Sequence, residues 1–200
     1  MQVFDDIGRF FSDCIEQLDK ESERGVVIVS AALLNETLEQ LIKDNLAPSA
    51  EKDDELFVGA YAPLDSFSTK IDLAYRLGLV GLSTRSSLHL IRKLRNDFAH
   101  SALQISFESN SVQSRIRELF RLNKGLFDIL WEVVGKENKR SIKEITKNVT
   151  SEHSIDKLVK VAGWRGMFEI LVSVVACALK ERRKNIEQLK SWADKTKDFK

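Results

Sequence analysis

Helix-breaking prolines are confined to one short part of this chain. Of its 200 residues only two are proline, Pro48 and Pro63, and both lie within the segment 45–66. Because proline removes a backbone donor and clashes with the preceding turn, a long stretch without it can continue as a helix. Outside this segment apolar residues recur at helical spacing, and few stretches alternate as strands do. The sequence therefore predicts an all-α fold.

The predicted helices account for most of the chain. Their approximate ranges are residues 3–18, 23–46, 69–77, 83–100, 111–134, 138–148 and 155–192. Ser66 or Ser68 is a candidate N-cap for the third helix, which Gly78 closes. Ser83 is the candidate N-cap for the fourth helix, because serine accepts a hydrogen bond from the first turn.

The connecting segments contain no long linker. Residues 47–63 are predicted as a loop, and residues 101–110 as an irregular segment with room for a short hairpin. No repeat or low-complexity tract is present. Residues 1–200 are therefore predicted to form a single all-α domain. This domain is an antiparallel helical bundle whose C-terminal helices span about 111–195 and finish with a long helix.

Charge is distributed unevenly along the chain. Lysine and arginine together number 31 and aspartate and glutamate 30, a formal net charge of +1, which does not suit a protein that wraps duplex DNA by bulk charge. Residues 1–60 hold 14 acidic and 5 basic side chains, whereas residues 61–179 hold 18 basic and 12 acidic ones. A modest positive surface is therefore expected beyond the N-terminal third.

Cysteine usage and hydropathy suit a cytoplasmic protein. Cys14 and Cys177 lie far apart in apolar segments, so they are predicted to be reduced thiols that are in the core or half-buried, and they are too few to make a zinc site alone. The N-terminus has no basic n-region or small-residue cleavage site. The longest apolar runs are Val26–Leu34 and Ile170–Leu179, well short of the roughly 20 residues that span a bilayer. No transmembrane helix and no membrane partner are predicted.

The segment from Leu88 to His100 carries the side chains best suited to chemistry. Arg92, Asn96 and His100 fall four residues apart and share a polar helix face. Arg95 and His100 are five residues apart, roughly 140° around a regular helix. These two side chains can therefore converge on one ligand only if the helix ends near His100 or the arginine reaches round.

The Arg95-Asn96 pair followed by His100 resembles the Arg-x(4–6)-His motif of the HEPN superfamily, all-α proteins that include many metal-independent endoribonucleases. A neutral histidine can take the proton of an RNA 2′-hydroxyl near pH 7, which makes His100 the candidate general base or acid. Arg95 would stabilise the phosphate and Asn96 would orient the two groups. This chemistry requires no metal or cofactor, and none is predicted. In the alternative interpretation these residues only cap and pair the helix end.

A longer part of the chain resembles the mannitol operon repressor (MltR-like) family. The resemblance covers about residues 21–101 and is carried by four segments in order: Glu21–Gly25, Ala31–Glu39, Pro63–Leu79 and Arg95–His100. It implies an all-α fold and transcriptional regulation, although no helix-turn-helix with a recognition helix is visible. It also implies a homodimer. The candidate surface for the dimer is the apolar face formed by Ile170, Leu171, Val174, Val175 and Leu179.

Other charged residues have weaker claims to a role. Four are candidates for orienting the motif: Glu36, Glu39, Arg92 and Asp97. For the two glutamates, solvent exposure or a plain salt bridge is the commoner outcome. Five basic residues fall on one predicted helical face and are candidates for binding nucleic acid: Lys136, Lys139, Arg140, Lys143 and Lys147. Nearby acidic residues dilute this charge, so a solvated surface is the simpler interpretation.

Two functions of different classes follow from the sequence. The first is a HEPN-like endoribonuclease that acts on RNA in stress response, a toxin–antitoxin pair or phage defence, with an antitoxin or regulatory protein as a further partner. The alternative is a non-enzymatic regulator of the mannitol-repressor type, or a module that only binds other proteins. Phosphate-binding loops, nucleophile elbows and zinc-binding signatures are missing from the sequence, which argues against the corresponding enzyme classes.

Overall fold

The computed structural model describes residues 2–49, 51, 53–100, 105–137 and 155–196. In these residues the chain forms six helices and no strand, which confirms the all-α prediction. The helices are α1 (Gln2–Asp19), α2 (Glu23–Lys43), α3 (Phe67–Arg76), α4 (Leu82–His100), α5 (Asn110–Glu137) and the long C-terminal α6 (Ile155–Thr196). The helix predicted at 138–148 lies outside the described residues.

Local capping sets where the helices begin and end. The Ser66 hydroxyl accepts the N–H of Thr69 at 3.1 Å, so Ser66 rather than Ser68 is the N-cap of α3. Gly78 follows α3 with φ = 70°, as the sequence predicts. The prediction for Ser83 was wrong. The N–H of Arg85 donates to the Gly81 carbonyl, so helical bonding is established before Ser83, which lies inside α4.

A single core holds the helices together, with α2 packed against α6, α4 and α3. The α2 face that enters this core is fully buried and consists of Val26, Val27, Leu34, Leu38, Leu41 and Ile42. The apolar face of α6 was expected to form a dimer surface, and that expectation needs correction. Leu171, Val174 and Val175 are at most 1 % exposed because they pack inside the single chain. The homodimer itself stays a prediction.

Two arginines tie helix ends to neighbouring elements. Arg24 donates from Nε to the Phe98 carbonyl at 2.6 Å and from Nη2 to the Ala99 carbonyl at 3.4 Å, at the end of α4. Arg165 donates to the carbonyls of Leu18 and Asp19 at the end of α1, and to the carbonyl of Glu21 just after it. The last carbonyls of a helix have no partners within it, and a cation there also complements the helix dipole.

A glycine allows α6 to change direction. Gly163 has φ = 71° and ψ = 173° and interrupts the helical geometry between two well-formed segments. A residue with a Cβ rarely adopts this conformation. The turn places Trp164 against the core, where Arg117 lies 4.7 Å from its ring centre. Trp164 is therefore a packing aromatic.

Both cysteines are free and buried, which confirms the sequence prediction. Burial raises the pKa of the Cys14 thiol to about 11 and that of the Cys177 thiol to about 12. Because the thiolate is the reactive form, these side chains behave as core residues.

Two helical segments are long and apolar enough to cross a membrane on length and composition alone: Glu23–Lys43 and Ile155–Arg183. Of their apolar windows, 44 % and 61 % are buried inside the bundle. Core helices of globular proteins have the same composition, so these segments give little support for a membrane location.

Candidate functional site

A cleft of about 430 Å³ lies between α2 and α4, and the start of α3 closes one end of it. This is large enough for a small organic molecule. The α2–α4 cleft, as it is called below, is lined by Ile28, Ala31, Ala32, Asn35, Asp65, Ser66, Phe67, Ser68, Arg92, Arg95 and Asn96.

The α4 wall of the cleft carries its positive charge. Arg92, Arg95 and Asn96 are three and four residues apart, so they share one face of the helix. The Arg95 guanidinium donates from Nη1 to Oδ1 of Asn96 at 3.1 Å, which holds it over the cleft. The Arg92 Nε is buried and has no hydrogen-bond partner among the described residues. A buried guanidinium nitrogen without a partner is costly for a folded protein.

The α2 wall is apolar except for one amide. Small side chains at Ala31 and Ala32 leave room in the cleft, and Ile28 borders them at 38 % exposure. Asn35, one helical turn further along, has an Oδ1 that is buried and without a hydrogen-bond partner in the described structure. The two unsatisfied polar atoms of the cleft thus belong to Arg92 and Asn35, one on each wall.

The closed end of the cleft is a helix N-terminus. Ser66 caps α3, and the backbone N–H groups of Phe67 and Ser68 belong to its first turn. N–H groups in this turn have no carbonyl partner within the helix and carry partial positive charge. Asp65 precedes the cap and lies exposed at the cleft.

The predicted catalytic trio is only partly brought together. Arg95 and Asn96 contact each other in the cleft wall, whereas His100 is not among the cleft residues. His100 is the last residue of α4 and is exposed. Arg24 occupies the neighbouring carbonyls of Phe98 and Ala99. The helical offset between Arg95 and His100 thus leaves the histidine on the helix end rather than in the cleft.

The predicted supporting glutamates have other positions. Glu39 binds the ammonium groups of Lys43 and Lys70, each at 2.6 Å, rather than Arg95 or His100. Burial opposes its ionisation, but the hydrogen bonds from the two lysines hold the pKa of Glu39 below its ordinary value. Glu36 is exposed to solvent, which is one of the two outcomes that the sequence favoured for it.

Asp97 also contacts a residue outside the motif. Its carboxylate binds Arg115 of α5, so it links two helices at the end of the bundle. Arg92 is the one predicted supporting residue that lies in the cleft with Arg95 and Asn96.

The predicted basic stripe is not placed by the described residues. Lys139, Arg140, Lys143 and Lys147 lie outside them, and Lys136 falls in the last turn of α5. In the described part of the chain, no group of three His, Cys, Asp or Glu side chains is arranged to hold a metal ion.

Sequence reasoning missed the other two walls of the cleft. Asn35 lies in the Ala31–Glu39 segment, which carries part of the family resemblance. Asp65 and Phe67 lie on either side of the predicted N-cap, Ser66. A helical-face analysis of α2 would have placed Asn35 with Ile28 and Ala32. Only the packing of three helices reveals that these residues meet Arg92.

Comparisons with known proteins yield structural likenesses alone. No protein-family model matches the chain, and no curated protein matches it in sequence. The MtlR chain of the MtlR–HPr complex from Escherichia coli has a TM-score of 0.56 at 16 % identity, covering 86 % of this chain and 98 % of that one. A possible transcriptional regulator, YggD from Shigella flexneri, has a TM-score of 0.56 at 14 % identity, covering 84 % and 98 %. At these identities the likeness shows a shared fold, and it is consistent with the resemblance to mannitol operon repressors.

Proposed function

We propose that this chain is a regulator of the mannitol-repressor type that acts by binding a protein partner, and that HPr is that partner. The proposal rests on the fold shared with MtlR along most of both chains, since MtlR was solved in complex with HPr. A regulator of this kind needs no DNA-reading helix, and the sequence offers none. A cytoplasmic location is part of the proposal.

The loop between α2 and α3 is the surface best suited to a protein partner. Phe57 and Leu64 anchor it in the core, and Lys43 lies 4.6 Å from the centre of the Phe57 ring. Held in this way, the loop leaves Val58 and Tyr61 59 % and 98 % exposed. Apolar side chains on an anchored loop are available to a partner at little entropic cost.

Acidic residues flank these apolar side chains. Asp53, Asp54 and Glu55 immediately precede Leu56, which is itself 43 % exposed. An apolar centre with a charged rim is the usual arrangement of a protein interface. The loop would therefore favour a partner surface that combines apolar and basic side chains.

Isothermal titration of the purified chain with HPr from the same organism tests this proposal. We expect saturable binding with a Kd on the order of micromolar, as transient regulatory complexes show. Val58→Ser and Tyr61→Ser should each weaken it, whereas Val161→Ser should not. Val161 is a matched control because it is 56 % exposed but belongs to α6. Absence of saturable binding by folded wild type would overturn the proposal, and equal losses in all three variants would overturn the assignment of the loop.

A metal-independent ribonuclease is the second candidate function. The observation in its favour is the Arg95–Asn96 pair in the cleft wall, where a phosphate would meet the cationic side chains of Arg95 and Arg92. Cleavage of total RNA in the presence of EDTA by wild type but not by His100→Ala, leaving 2′,3′-cyclic phosphate ends, would support it. Intact RNA after incubation with wild type would leave the regulator as the better account.

A further inference from the structure

We infer that the α2–α4 cleft binds a small organic anion, a phosphate or a carboxylate, through Arg92, Arg95 and the N-terminus of α3. Neither Val58 nor Tyr61, the exposed side chains of the proposed partner surface, lines this cleft. It would make the regulator responsive to a small molecule. The inference does not depend on the identity of the protein partner.

The unsatisfied donor of the cleft, the Arg92 Nε, points to an acceptor in the ligand. The Arg92 Nε is buried and donates to no described group, although a guanidinium can donate five hydrogen bonds. An anion in the cleft would accept from Arg92 and from Arg95 on the same helix face. It would also lie near the first-turn N–H groups of Phe67 and Ser68, where helix geometry favours negative charge.

The remaining lining defines what the rest of the ligand can be. Ile28, Ala31 and Ala32 give the α2 wall an apolar surface. Asp65 is exposed, so water screens its repulsion of an anion, and its carboxylate can accept from a hydroxyl or ammonium group. The Asn35 amide offers a second polar contact on the same wall as the alanines. The lining therefore fits a small organic anion that also carries a hydrogen-bond donor.

The test measures binding of inorganic phosphate and of acetate, each titrated against the whole chain by calorimetry at constant ionic strength with sodium chloride as the reference salt. Arg92→Gln and Arg95→Gln each remove one of the two guanidinium groups that are proposed to bind the anion. Lys93→Gln is the matched control, because Lys93 is an exposed cation on α4 that does not line the cleft. Ala32→Leu fills the cleft without changing charge, and leucine is compatible with a helix.

We expect saturable binding of at least one anion, weakened about tenfold or more by Arg92→Gln and by Ala32→Leu and unchanged by Lys93→Gln. Binding of phosphate and not of acetate would identify the ligand's anionic group as a phosphate. Binding of acetate and not of phosphate, with the same dependence on Arg92, would identify it as a carboxylate.

A melting-temperature measurement tests whether Arg92 has a structural role instead. Because Arg92→Gln removes a buried Nε donor that has no described hydrogen-bond partner, its melting temperature in chloride should equal or exceed that of wild type. Absence of saturable anion binding, or equal binding by wild type and Arg92→Gln, would overturn the inference. HPr is left out of these titrations, so their failure would not affect the proposed protein partner.

Discussion

Replacing Glu39 with glutamine should destabilise the bundle, because it leaves the Lys70 ammonium buried without a counter-charge. The Lys70 side chain is only 3 % exposed, and its described ion pair is with Glu39, at 2.6 Å between helices α3 and α2. Removing one member of a buried ion pair costs about 3–5 kcal/mol, since the other charge remains desolvated. Glu39 itself is 21 % exposed, so water can partly solvate the vacated position, and we expect about 3 kcal/mol.

The assay is urea denaturation followed by circular dichroism, with thermal melting as a second measure. For a chain of this size about 3 kcal/mol corresponds to a fall in Tm of roughly 6–12 °C. The double variant Glu39→Gln/Lys70→Met should recover most of the loss, because an apolar residue of similar length replaces the unpaired charge.

An exposed ion pair provides the control. Glu16 and Lys20 of α1 are 73 % and 70 % exposed, so Glu16→Gln should leave the denaturation midpoint unchanged. If Glu39→Gln is as stable as Glu16→Gln, or if adding Lys70→Met lowers stability further, then the buried charge is not what makes Glu39 necessary.

Three further variants test other parts of the structure. Arg24→Met removes the donors to the last carbonyls of α4 and should lower the free energy of unfolding by about 1.5 kcal/mol in urea denaturation. Gly163→Ala should lower the free energy of unfolding by about 1–3 kcal/mol, because φ is 71° there. Gly125→Ala in helix α5 is the control and should not lower it. Equal effects of the two variants on Tm would refute this reasoning. Burial raises the pKa of Glu169 above its ordinary value, although the hydrogen bond from Arg165 opposes this shift. The carboxyl therefore contributes most to stability below its ordinary pKa, and this contribution is lost as the pH rises through the raised pKa. The free energy of unfolding of wild type should therefore fall relative to Glu169→Gln as the pH rises above the ordinary glutamate pKa of about 4.3, and parallel pH curves would contradict it.

The helices were predictable because their signals are local. Apolar spacing and the Ser66 cap are read within one or two turns, and the structure places α1 and α3 within a few residues of their predicted bounds. Ser83 failed because capping depends on which backbone carbonyl begins the helical bonds. A serine in the first turn looks the same in sequence whether it caps the helix or lies just inside it.

Long-range pairing was beyond the reach of the sequence. Glu39 and Lys70 are 31 positions apart, and nothing local distinguishes this pair from other glutamates and lysines. The cleft is a similar case, since Asn35 and Arg92 meet only through the packing of α2 on α4. Helical periodicity alone did group Arg92 and Asn96 on one polar face, but it placed His100 with them, whereas the cleft contains Arg95 and not His100.

Hydrogen–deuterium exchange of the chain with and without HPr tests the central claim most directly. Exchange is read along the whole backbone, so it reports both whether HPr binds and where. The account predicts slower exchange in the loop of residues 54–65 when HPr is added, with little change at the kink around Gly163. Unchanged exchange throughout the chain at saturating HPr, or protection confined to helices away from that loop, would contradict it.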